Sequence, residues 1–329
     1  MSTFEHDLTK GNIWKQLVWF AVPFFISNLI QSLYSLIDLI ILGHFGGTNS
    51  ISAANIGGQV LVILTNLAAG LSGGGTVMLG NYLGSKRKDK INGAISTLLI
   101  TLTVMAAVFM VLLVILKQPL LRLLDTPEEA FSQAEQYLFI CTLGLLFIYG
   151  YNALSAIMRG LGDSRTPMIF VMIACMINII LDLVLVAGFH LGAGGAAAAT
   201  VFAQGCSMLF CIIYLKHHDF MFDFKPSSFH FIKEEFHTLL RTGLPLSIQM
   251  VGTNFSFLIL TTFINRAGGV AASAAAGIVN NFNGFAILPE AAISSAASAM
   301  IAQNMGKKDV KRSSKTMHCC LVLCIGVSL

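Results

Sequence analysis

The chain has 329 residues, of which 55% are hydrophobic and 11% charged, with a mean hydropathy of +0.77. A soluble domain carries roughly 25% charged residues, so this composition excludes a water-soluble globular protein and implies an all-α, polytopic membrane protein. The net charge of +4 gives no reason to invoke nucleic acid, because nearly all the basic residues fall in the short segments between apolar runs.

Taken in order, the apolar runs predict helices near 14–42, 54–82, 92–116, 131–158, 166–187, 195–215, 236–264 and 272–303. Crossing a ~30 Å hydrocarbon core takes about 20 helical residues, and each run can do so. A ninth helix begins near Thr316 and is still apolar at Leu329. The chain therefore reads as a piece of a longer protein. The first run is no cleaved signal, since it is too long, contains Asp38 and follows Glu5 and Asp7. With the N-terminus in the cytoplasm, 17 of the 20 Lys and Arg residues fall on the inner side, leaving Lys117, Arg122 and Arg266 outside. The positive-inside rule supports that topology. The seven cysteines all lie in predicted helices, without metal-like spacing, and read as small core residues.

Shifted by 222 residues, the chain matches itself without a gap. Pro23 falls on Pro245, Gly46–Gly47 on Gly268–Gly269, Gly84 on Gly306 and Lys86 on Lys308. The copies start at the first and seventh helices, so both enter the membrane in the same direction, as a parallel repeat does. The expected organisation is a six-helix N-lobe over 1–215, a cytoplasmic linker over 216–235 and a partial C-lobe over 236–329, with about twelve helices in the whole molecule. Two such lobes suit alternating access around a central cavity.

Asp38 has no acid opposite it in the second copy, where the shift places Leu260. A carboxylate near the centre of a spanning helix costs about 2.5–3.5 kcal/mol, so Asp38 requires a partner or a function. Ser27, Gln31, Tyr34 and Asp38 share one face of the first helix. Asn178 and Asp182 share a face of the fifth. Thr200 stands on the sixth, as far past the Gly- and Ala-rich outer turn as Asp182 stands before it: ~9 Å at ~1.5 Å per residue. Asp38, Asn178, Asp182 and Thr200 thus supply oxygens at one depth, a set suited to a small hard cation such as Na⁺ or to a proton.

With these residues in place, the chain resembles the multidrug and toxic compound extrusion (MATE) family of cation-coupled efflux transporters. The resemblance rests on Pro23 and Asp38, on "ALSAIMRGLGDSRTPM" from Ala153 to Met168, on "NIILDLVL" in the fifth helix and on the repeat. It implies twelve helices in two six-helix lobes. It also implies a functional acid at Asp38, a proton- or sodium-binding cluster at Asn178, Asp182 and Thr200, and a further polar member at Asn152. The glutamate that some relatives carry in the seventh helix has no counterpart around Asn254.

The expected function is a monomeric secondary transporter of the cell (inner) membrane, exchanging inward H⁺ or Na⁺ for outward organic cations, with no cofactor beyond the coupling ion and lipid as its surroundings. Gln31, Tyr34, Asn280, Asn283 and Glu290 are candidates for the cavity wall, with Glu290 equally suited to local pairing beside Pro289. Arg159, Asp163 and Arg165 read as a solvated or lobe-bracing cluster at the inner turn, leaving the first lobe with no intramembrane cation. Gly70–Gly74 fits a serine-nucleophile pattern, but none of the eight histidines lies within a helix core to serve as its base, so no enzyme is expected. A lipid-linked oligosaccharide flippase of related architecture is the alternative, and an ion channel would repeat its acid ring, which the second copy lacks.

Overall fold

A computed structural model describes residues 5–218 and 220–328, without the side chains of 258, 261, 262, 265–278 and 280–282. Among the described residues every regular element is helical. Helix α1 (Ile13–Ile41) passes through a π-helical turn (Leu42–Gly46) into α2 (Gly47–Gly84), and α3 (Lys88–Leu123) and α4 (Glu128–Gly160) follow. Helix α5 (Arg165–Asp182) ends in a second π turn (Leu183–Gly188) and leads to α6 (Gly192–His217). Helix α7 (Lys233–Gly306) and α8 (Val310–Ser328) complete the chain. Among the described residues six stretches are long and apolar enough to cross a membrane, α3, α4, α6 and 283–306 included.

The sequence predicts a break at 265–271, where the chain is instead helical. Yet α7 cannot be one straight rod. Its 74 residues would reach ~110 Å, whereas both its ends sit beside the end of α2: Tyr82 Oη donates to Glu235 at 2.5 Å, and Gly306 packs on the backbone of Asn81. The chain therefore doubles back within α7. The same reversal between α1 and α2 is made at Gly47, whose φ of 75° suits glycine.

The 222-residue shift reappears in the backbone. Helix α2 closes with Lys86 N–H donating to Leu83 O and Arg87 N–H to Tyr82 O; α7 closes with Lys308 N–H to Met305 O and Asp309 N–H to Asn304 O. Both are Schellman turns, with Lys86 and Lys308 left-handed at φ 59° and 64°.

These turns, the α4–α5 turn and the N-terminus meet at one end of the bundle, here the basic end. Residues 5–12 form a strap across it. His6 N–H donates to Leu161 O, Lys88 Nζ pairs with the buried Glu5 at 2.9 Å, and Arg312 donates to Gly11 O and to Gln16 Oε1, each at 2.8 Å. Burial lifts the Asp7 carboxyl, but the hydroxyl and N–H of Thr9, with Lys10 nearby, hold it below its ordinary value. Gln303 joins three segments: its Oε1 accepts from Leu8 N–H at 3.0 Å, and its Nε2 reaches His6 O and Gly160 O. Losing a buried hydrogen-bonded group costs about 1–3 kcal/mol, so Gln303→Ala should lower thermal stability by about that much. An unchanged melting temperature in detergent would show the strap contributes nothing.

The 220–232 segment is docked against α3. Phe222 is buried against Phe229, and Ser96 Oγ on α3 accepts from His230 N–H at 2.6 Å while Thr97 Oγ1 accepts from Ile232 N–H at 3.1 Å.

Candidate ion site and cavity

The two intramembrane acids come together. Asp38 on α1 and Asp182 at the end of α5 lie within interaction reach of each other. Asp182 is fully buried and Asn178 nearly so. Asn178 Nδ2 donates to Thr200 Oγ1 at 3.3 Å, joining α5 to α6. Four oxygens remain without a donor: Asp38 Oδ1, Asn178 Oδ1 and both oxygens of Asp182. Unpaired buried acceptors are expensive, and two carboxylates at close quarters repel, so the arrangement favours a proton or a cation among them. Among the described residues no three His, Cys, Asp or Glu side chains gather as a metal centre would. The donor set of two carboxylates, an amide and a hydroxyl fits H⁺ or a monovalent hard cation such as Na⁺.

Both acids sit at a change of helical pitch. Leu42 N–H is shared between Asp38 O and Leu39 O where α1 becomes π-helical, and Leu183 N–H between Ile179 O and Ile180 O where α5 does. The two π turns touch. Such turns mark functional positions in helices, and nothing in the apolar periodicity announces them.

In front of this pair lies a cavity of about 510 Å³. Gln31, Tyr34, Asn152, Asn178 and Thr200 line it, together with Asn28, Asn66, Tyr137 and Gln204, which the sequence did not single out. Asn152 turns its Nδ2 to Ile148 O at 2.8 Å. Asp38 and Asp182 are not among the wall residues; Tyr34 and Asn178, each four residues before one of them on the same helix, are. Asn283 is half-buried on α7 and lines no part of this cavity, and the side chain of Asn280 lies outside the described residues. Glu290 accepts from Ser328 Oγ of α8 at 2.6 Å, the local pairing rather than the cavity position.

The cluster expected at the α4–α5 turn separates. Asp163 caps α5, its Oδ1 accepting from Arg165 N–H at 2.9 Å and Thr166 N–H at 3.1 Å. Arg165 lies over Trp19, 5.1 Å from its ring. Arg159 lines the cavity, which corrects the expectation of a first lobe with no cation within it. Its position one turn from the end of α4 reads as solvated, but the neighbouring helices enclose it.

A family model, MatE, matches residues 23–184 and 245–329. This chain belongs to the MatE family. As a MatE protein it is a non-enzymatic, multi-pass membrane transporter, of the kind known for multidrug efflux. It is 31% identical over 312 residues to the "Probable multidrug resistance protein YpnP" of Bacillus subtilis, covering 93% of this chain and 68% of that protein. It is 27% identical over 325 residues to the "Probable multidrug resistance protein NorM" of Thermotoga maritima, covering 94% and 68%. The multidrug export protein MepA of Staphylococcus saprophyticus is 24% identical over 262 residues, and the match spans 58% of its length. Among solved structures, an outward-facing multidrug resistance MATE family transporter superposes with a TM-score of 0.93 at 23% identity, over 99% of this chain and 72% of that one. At that identity the likeness concerns the fold.

Proposed function

We propose that this MatE protein is a secondary active efflux transporter that admits H⁺ or Na⁺ at Asp38–Asp182 and expels cationic or amphipathic organic compounds by alternating access. The observation that carries the reading is the set of four unpartnered oxygens on Asp38, Asn178 and Asp182, with Asn178 itself part of the cavity wall. Ion entry neutralises or bridges the acids and repacks α1, with the buried Pro23 as its weak point. Tyr34 and Asn178 belong to the wall and neighbour the acids, so the repacking alters the surface that holds the compound. The joined basic end, taken as cytoplasmic, leaves this conformation closed to the inside. Membership in a family of efflux proteins speaks against the lipid-linked flippase.

The test is efflux of a fluorescent organic cation from cells expressing the complete gene. Collapse with a protonophore names H⁺ as the coupling ion, and collapse on sodium removal names Na⁺. Efflux unaffected by either would sink ion exchange as the mechanism.

A further inference from the structure

Among the described residues one charged side chain, Arg159, faces the cavity, and it is a cation. Among the described residues no aspartate or glutamate lines the wall; its other polar groups are amides, hydroxyls and the thiols of Cys141 and Cys175. Arg159 Nε donates to Ser155 O at 3.1 Å, and the guanidinium lies 5.6 Å from the Phe24 ring. Among the described residues no carboxylate pairs with Arg159, and its terminal amino groups have no hydrogen-bond partner. Arg312 shows the contrast, with both terminal nitrogens spent on Gly11 O, Leu8 O and Gln16 Oε1, where they tie α8 to the strap. An arginine with a bracing role uses its fork in that way. Arg159 instead lines the cavity with its fork unspent, and Phe24 and Tyr151 line the same cavity.

A guanidinium fork matches a carboxylate with two parallel hydrogen bonds, and the pair strengthens where water is scarce. The adjoining aromatic faces suit a flat, apolar carrier of that carboxylate. We infer that Arg159 is the residue of the cavity that recognises the carboxylate of a bound compound and so sets the preference for acid over neutral ester. This rests on the efflux reading above and assigns a specificity-determining residue to it.

The experiment compares a rhodamine dye carrying a free carboxylate with its methyl ester, measuring binding to purified protein by fluorescence anisotropy and efflux from cells. Wild type should bind the acid in preference to the ester. Arg159→Gln should weaken acid binding by about tenfold or more and leave ester binding within about twofold, with Arg159→Lys restoring part of the preference. Equal losses for both dyes, or no preference in wild type, would overturn the inference. Should Arg159→Gln fail to fold, wild type decides: benzoate competing with the acid but not the ester supports a carboxylate subsite, and equal competition overturns it. Selective binding without efflux of either dye would leave the subsite standing and count against the transport reading alone.

Discussion

Asp182→Asn should abolish ion-driven efflux without unfolding the protein. Asp182 is fully buried, and neither carboxyl oxygen has a donor. Asparagine has nearly the same shape, removes a charge from the pair with Asp38, and brings an NH₂ group that can donate to Asp38 Oδ1 or Asn178 Oδ1, both now unsatisfied. An unpaired buried polar group costs about 1–3 kcal/mol, so the variant should melt at the wild-type temperature or above it. It loses the titratable, cation-holding charge that the cycle uses, and efflux should fall to the level of cells without the transporter. Substrate binding should persist, because Asp182 is not in the cavity wall. The decisive comparison is coupled efflux against melting temperature. Wild-type efflux from a stable Asp182→Asn protein would remove Asp182 from the coupling site and leave Asp38 to carry it.

Gly84→Ala and Gly306→Ala should each disable the transporter by wedging its basic end apart. A Cβ on Gly84 would stand 1.9 Å from Gln303 O, and one on Gly306 would stand 2.0 Å from Asn81 O. The two clashes correspond under the 222-residue shift, which carries Asn81 onto Gln303 and Gly84 onto Gly306. These neighbours are helix backbone, so no side chain can swing away and the helices themselves must separate. Overpacking costs about 1–3 kcal/mol, enough to shift a two-state equilibrium by about fivefold to more than a hundredfold. The expected signature is loss of efflux together with faster labelling of a cysteine placed at Ser155, in the cavity wall, by an impermeant maleimide supplied from the basic side. Gly252→Ala is the control, since nothing lies within 4 Å of its new Cβ. Unchanged labelling and efflux in the Gly84 variant would show that the crossing has room to give.

The sequence by itself determined the membrane class, the family resemblance and the repeat in its residues, and it put Asp38, Asn178, Asp182 and Thr200 forward as oxygens at one depth. Charges in apolar helices are too costly to be incidental, and a fixed spacing places them on one face and at one depth. The tertiary structure decided which side of a wall each group occupies. Tyr34 and Asn178 line the cavity while Asp38 and Asp182 do not, and Arg159, near a helix end and a polar turn, is folded into its wall. A helical period identifies a face but not the helices packed against it, so enclosure is invisible along the chain. The strap over 5–12 was illegible for a similar reason: its order comes from the side chains of Gln303, Lys88 and Arg312, distant in sequence, and it has no periodicity of its own. The two π turns, each one hydrogen bond out of α register, leave no mark on the pattern of apolar residues.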